Sequence, residues 1–374
     1  MNRHLFNPLD ADYNQSSARD LNKTPSTTSK APLMTDTKKP LSTTRRNFIA
    51  GTAAAASTFF IGRPKALAGE AEITLKFATV APPDTPWSLH TKRLGDTVKK
   101  GTDGRVRVKV YLGGALGDED STANRCRKGG IAGWAGTSAA LASIIPELAA
   151  LELPYLFPSL AAADDVLDNK VTADIERMLE KAGFKLLFFS ENGHRSIGTN
   201  YGFIKSAADL KGKKMRSQSH DVHLNTWRAL GASPQPISVT EALTALQTGV
   251  VDGFDNTPLF TFAASWFQAI SHFTLTRHSY QPAMAVMHKP TFDALPRDAQ
   301  ELFVGKMKEE SAWGRKKVRA IKQQLIDNFG AAGIKVHEST KSELDAFAKA
   351  TFPTHKKFTD KYGTGFYKAI TKGL

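Results

Sequence analysis

Leu210-Lys211-Gly212-Lys213-Lys214-Met215-Arg216, Leu230-Gly231-Ala232-Ser233-Pro234 and Glu241-Ala242-Leu243-Thr244-Ala245-Leu246-Gln247-Thr248-Gly249-Val250-Val251-Asp252-Gly253 follow one another in this order. Lys213–Arg216 reads as a short strand, and Val222–Leu230 as a helix that stops at Gly231. Pro236–Val239 reads as a second short strand. Thr240 then caps a helix over Glu241–Gln247. Strands alternating with helices predict an α/β fold with mostly parallel sheets.

The same alternation extends outward. Ile73–Ala78 alternates with period two, as a half-buried strand does. Ser88 to about Lys100 has helical spacing and ends at Gly101, Asp103 and Gly104. Arg105–Leu112 is a strand with Val106, Val108 and Val110 on one face, Gly113–Gly117 a loop, and Asp118 a candidate helix cap. Lys185–Phe189 is a further strand, and Ile204–Leu210 a loop with a short turn. Pro296–Phe329 reads as one nearly unbroken helix. At the usual helical rise of roughly 1.5 Å per residue it would be about 50 Å long. Its apolar positions do not sustain heptads with flanking charges. A helix packed across two domains of one chain is therefore favoured over a coiled-coil dimer.

The 374 residues, 41% apolar and 23% charged, suit an ordinary globular chain of about two domains. That excludes wholesale disorder, collagen and a multi-span membrane protein. The lone Cys126 excludes an intrachain disulfide and a Cys-based zinc cluster. Residues 1–68 hold ten of the 50 Lys/Arg and four of the 36 Asp/Glu, so the formal +14 falls to +8 (40 against 32) over the remainder. The basic residues, as in Gly314-Arg315-Lys316-Lys317, are read as solvated helix faces, and no nucleic-acid partner is expected. The start, through about Ser42, reads as disordered. Arg45-Arg46-Asn47-Phe48, the 13-residue apolar run Ile49–Ile61 and Ala66-Leu67-Ala68 form an export signal. The paired arginines resemble a twin-arginine signal. Export through that machinery, cleavage near Ala68 and a periplasmic location are the expectation. Cys126 lies too far from that point for a lipoprotein. Met34 offers a second start with a leader of more usual length. Beyond residue 69 no 18 apolar residues run unbroken.

Catalytic motifs are missing. Gly113-Gly114-Ala115-Leu116-Gly117 lacks the Gly-Lys-Ser/Thr ending of a phosphate loop, and no G-x-S-x-G elbow occurs. Cys126 has cationic neighbours but no base. His220 and His223 share a helix face without a third metal ligand, and Asp252 and Asp255 lack a pocket to make them acid and base. Two arginines stand out instead. Arg195 follows the Lys185–Phe189 strand and Arg216 ends another, where ligands sit in parallel α/β proteins. Each can grip a carboxylate through two parallel hydrogen bonds, or serve a structural ion pair.

Lys214-Met215-Arg216 followed at this distance by Ala245-Leu246-Gln247-Thr248-Gly249-Val250-Val251-Asp252-Gly253 resembles the substrate-binding (DctP-type) subunit of tripartite ATP-independent periplasmic (TRAP) transporters. Leu153-Pro154-Tyr155-Leu156-Phe157, Phe273–His278 and Gly104–Leu116 fit the same family, across essentially all of the chain after the leader. The resemblance implies a two-domain periplasmic-binding-protein fold (type II-like) with hinge strands and a long helix spanning both domains. The divisions are 1–68 as leader, 70–193 with 282–321 as domain I, and 194–281 with 322–374 as domain II. It implies capture of an organic acid in the interdomain cleft and delivery to the small and large membrane subunits of a TRAP transporter. No catalysis or cofactor is implied; a cation accompanies the ligand in some members of the family, where Asp255 or Asp252 could contribute.

By the same resemblance Arg216 clamps the ligand carboxylate, Asn256 lies beside it, and Arg195 holds a second arginine position. Thr79, Pro82 and Trp87, and Trp134, Gly136, Thr137 and Ser138, lie on loops that close over the ligand. Trp87, Trp134 and Gln218 depart from the commonest pattern and point to a bulkier or more apolar ligand. The alternatives are an apolar-ligand binding protein, an ABC-type solute-binding protein, a folded-exported periplasmic enzyme and a ligand sensor. The long helix and the 40 residues between Arg216 and Asn256 speak against the ABC type.

Overall fold

A computed structural model describes residues 72–374 except Gly373. The export signal, its cleavage point and the leader lie outside the described residues. Nine strands form one mixed sheet: β1 (Ile73–Ala78), β2 (Val106–Tyr111), β3 (Gly133–Thr137), β4 (Phe184–Thr199), β5 (Lys214–Ser217), β6 (Ser233–Pro236), β7 (Gly253–Asn256), β8 (His272–His288) and β9 (Lys335–Glu338). The order is β2-β1-β3-β8-β4-β7-β5-β6, with β9 on β8. Pairing is parallel within β2-β1-β3 and within β7-β5-β6, but antiparallel through β3-β8-β4-β7. Five of the eight strand pairings are parallel, as expected, and the two parallel α/β sets are joined by two long strands, β4 and β8, that pair antiparallel to each other.

Those joining strands are longer than their sequence pattern suggests. β4 runs 16 residues, far past Phe189, although the polar stretch Glu191-Asn192-Gly193-His194 interrupts its apolar pattern. These residues stay in the strand because their polar groups find buried partners at the crossing of β4 and β8. Arg195 therefore lies inside a strand rather than after one. Register shifts interrupt the β4–β8 ladder between Glu191 and Gly193 and between Arg195 and Ile197. Gly193 takes φ +102°, which a side chain would resist.

Local signals place other elements as expected. Thr85 and Ser88 form a reciprocal cap on the helix Pro86–Gly101. Asp118 caps the helix Glu119–Arg127, its Oδ1 accepting from Ser121 N at 2.7 Å. Two boundaries move. The strand expected at Pro236–Val239 lies at Ser233–Pro236, and the next helix begins at Ala242 after Glu241, so Thr240 does not cap it. That strand runs beside β5, where Arg216 faces Gln235, and pairing with a neighbour overrides a weak local pattern.

The single helix over 296–329 is also corrected. Helices Arg297–Val304, Met307–Ala320 and Lys322–Ala331 follow one another, broken at Gly305-Lys306 and at Ile321. Glycine's low helix propensity accounts for the first break. At Ile321, φ −97° and ψ 3° interrupt the path, and no sequence signal marks it. The middle helix packs on β4, where Ser311 Oγ accepts from Phe189 N at 2.9 Å. Arg315, read as solvated, is 2% exposed and holds Asp168 with two bonds of 2.7 and 2.9 Å.

Candidate functional site

One cavity of about 660 Å³, counting its mouth, lies where the ends of the parallel strand sets meet β4 and β8. Arg216 enters it from β5. The residue is 2% exposed, its Nε donates to Ile237 O at 2.9 Å, and its guanidinium lies 5.2 Å from the Trp266 ring centre. Among the described residues no carboxylate pairs with it, and its terminal nitrogens are left to the cavity. Burial, and then the nearby charge of Arg195, lower its pKa to about 10. A buried cation in this state is set to gain from an incoming anion.

Asn256 ends β7 beside it. Its Oδ1 accepts from Thr257 N at 2.8 Å and Asn192 Nδ2 at 3.3 Å, which leaves its amide donors for a ligand. Gln218 crosses the cleft. Its Nε2 reaches Thr137 Oγ1 at 3.5 Å and its Oε1 accepts from Gln281 Nε2 at 2.8 Å. Thr79 lines the cavity, and its hydroxyl oxygen accepts from Ala81 N. Trp87 offers its ring face, because its Nε1 donates to Glu191 O at 2.7 Å.

Arg195 also reaches the cavity wall, but each of its three nitrogens already donates within the protein. Nε meets Asp255 Oδ2 at 2.6 Å, one terminal nitrogen meets Gln281 Oε1 at 2.9 Å, and the other donates to Asp255 O. Burial works to raise the Asp255 pKa, but Arg195 and His278 overcome it and hold the carboxyl well below the usual range. The pair is a fixed brace under the site. Trp134 and Ser138 lie behind the wall instead of on it. Trp134 is fully buried and donates to Glu119 O and Thr122 Oγ1, both at 3.2 Å, while Ser138 donates to Glu152 Oε1 at 2.6 Å.

Sequence reading missed Asn192, Gln281 and Glu119. Gln281 Oε1 accepts from Asn192 and Arg195, and its Nε2 donates to Glu152 and Gln218. A lone glutamine in the apolar run after Tyr280 was the available signal. Glu119 accepts from Thr137 N and Thr137 Oγ1, both at 3.0 Å. Burial raises its pKa to about 7. Protonated Glu119 repels an anion less, so carboxylate affinity is expected to fall from pH 6 to pH 8. Titration calorimetry across that range checks this, and Glu119→Gln should flatten the dependence. Glu119 alone also makes the fold less stable as pH rises between its unfolded value, near 4.5, and about 7, since the folded state holds the proton longer.

His220 Nδ1 caps its own helix and His223 bonds Glu152 at 2.8 Å. Among the described residues no three His, Cys, Asp or Glu are grouped to hold a metal. Cys126 is buried, and burial pushes its thiol up to about 12.

A buried guanidinium with no carboxylate partner among the described residues, in a cavity where two parallel strand sets meet, suits an anion-binding protein. The family follows from comparison: a model of the bacterial extracellular solute-binding protein family 7 (DctP) matches residues 77–361, and the chain belongs to that family. It is a family of solute-binding proteins, not of enzymes. The 2,3-diketo-L-gulonate-binding periplasmic protein YiaO of Escherichia coli is 30% identical over 248 residues, 66% of this chain and 76% of that protein. A TRAP periplasmic solute-binding protein of Ralstonia eutropha, solved with (S)-2-acetolactate, is 30% identical with TM-score 0.74, covering 80% of this chain and 97% of that one. Another, from Citrobacter koseri with D-glucuronate, is 29% identical with TM-score 0.74, covering 79% and 98%.

Proposed function

We propose that this chain captures an organic acid by its carboxylate in the Arg216 cavity and delivers it to the membrane subunits of a TRAP transporter. The observation that carries this is the buried Arg216 guanidinium with no carboxylate partner among the described residues. Two parallel charge-assisted bonds from its terminal nitrogens hold the acid, and Asn256 adds a donor. Thr79, Trp87, Thr137 and Gln218 complete the enclosure, and Arg195 positions Asp255 and Gln281 beneath it. Closure removes water and strengthens the ion pair. The relatives bound to acetolactate and glucuronate, each an organic acid, support this reading.

The lobes in this reading are 70–193 with 282–321, and 194–281 with 322–374. Their crossing points support it: Gly193 and Gln281 are register partners, and Ile321 breaks the helix. Export through the twin-arginine route, with cleavage near Ala68, delivers the chain to the periplasm. No helix among the described residues is long and apolar enough to cross a membrane.

A thermal-shift panel of mono- and dicarboxylates, keto acids, sugar acids and uncharged controls tests the reading. A ligand at 100 times its dissociation constant adds about 2.7 kcal/mol. At least one acid, and no uncharged control, is expected to raise the melting temperature. Stabilisation by uncharged solutes alone would reject the carboxylate clamp.

A further inference from the structure

We infer that the ligand is a monocarboxylate with a branched or aromatic apolar body, bound with its carboxylate toward the mouth and its body inward. The inference rests on the proposal that Arg216 takes a carboxylate. By residue name the cavity lining is mixed. Arg216, Gln218 and Glu119 line both this cavity and the open polar cleft outside it, where Asp118, Asp120 and Asp221 lie. The charged end is therefore the mouth.

The inner end is walled by Phe188, Met284, Ala135 and Val80, with Trp87 and Phe260 as neighbouring rings 6.0 Å apart. Its polar residues turn their polar atoms away. His90 stacks on Phe188 at 3.9 Å and points Nε2 at Glu310, 3.3 Å away. Its Nδ1 faces the crossing helix, where a Cβ on Gly314 would lie 2.5 Å from it. Ser190 Oγ lies toward the same glycine, 3.4 Å from that Cβ. The Thr91 hydroxyl donates to Trp87 O at 3.0 Å, and the Trp87 indole N–H is taken by Glu191.

Two classes of acid are disfavoured as a result. A dicarboxylate needs a second cation. Arg195 is committed to Asp255 and Gln281, and burial lowers the His90 pKa, which keeps it neutral. A polyhydroxylated sugar acid needs partners along its length. Asn192 and Gln281 spend their amides on Asn256, Thr257, Arg195, Glu152, Gln218 and each other. Hydroxyls at the inner end would be buried unpaired, which is costly. An apolar body there gains from leaving water.

Titration calorimetry of the purified protein with 4-methyl-2-oxopentanoate, phenylacetate, succinate and D-galacturonate tests this. At least one of the first two is expected to bind ten-fold or more tightly than either of the others. Tighter binding of succinate or galacturonate overturns the inference and leaves the carboxylate clamp standing. Binding of none of the four, with 4-methylpentan-2-one binding instead, overturns both.

Discussion

Arg216→Met is expected to bind organic acids at least roughly 30-fold more weakly than the wild type while melting no lower. The two effects have one cause. The guanidinium is buried, its Nε donates to Ile237 O, and no carboxylate pairs with it among the described residues. A buried charge without a partner is a cost, and apolar replacements of buried ionic groups are often neutral or stabilising by about 1–4 kcal/mol. Methionine fills much of the same volume against Trp266. Binding loses the cation at the mouth, whose terminal nitrogens have no carboxylate partner among the described residues. Removing one side of a desolvated charge pair costs about 2–5 kcal/mol, or roughly 30-fold to several-thousand-fold in affinity. Calorimetry and thermal melts on the same preparation read both effects.

Asp255→Ala is expected to have the opposite profile, with a large loss of stability. Arg195 would keep its bond to Gln281 but lose its carboxylate, leaving a fully buried, uncompensated cation. Breaking such a pair typically costs about 3–5 kcal/mol. At roughly 2–4 °C per kcal/mol for a chain of this size, the melting temperature should drop about 10 °C. The double variant Arg195→Met/Asp255→Leu should recover most of that loss, since it leaves neither charge behind. A melt of the double variant as low as that of Asp255→Ala would mean that the pair does more than neutralise itself.

These variants separate two arginines that sequence could not separate. Both end or follow apolar strand segments, and both suit a carboxylate. What distinguishes them is Asp255, 60 residues from Arg195 along the chain and 2.6 Å from it in space. Long-range pairing of that kind leaves no local trace. Elements set by local chemistry were legible: the β1 alternation, the Asp118 cap and the short strand that ends near Arg216. Elements set by the crossing of β4 and β8 were not. The polar run Glu191–His194 ends a strand by its pattern, yet its side chains are buried or half-buried in the middle of one. Trp134 matches a family position at the ligand, but Gly136 shows why it is not there. A Cβ at Gly136 would lie 2.4 Å from the Trp134 ring, so the indole is packed beneath the strand. Arg315 shows the same limit for surface charge, since its partner Asp168 lies 147 residues away.

The binding expectations all turn on Arg216 recognising a carboxylate. The most direct test takes the acid that most raises the melting temperature and compares it by calorimetry with its methyl ester. The ester keeps the size and the apolar body but removes the negative charge. The acid is expected to bind and the ester to bind at least roughly 100-fold more weakly, with the difference abolished in Arg216→Met. Equal binding of acid and ester to the wild-type protein would contradict recognition of the carboxylate.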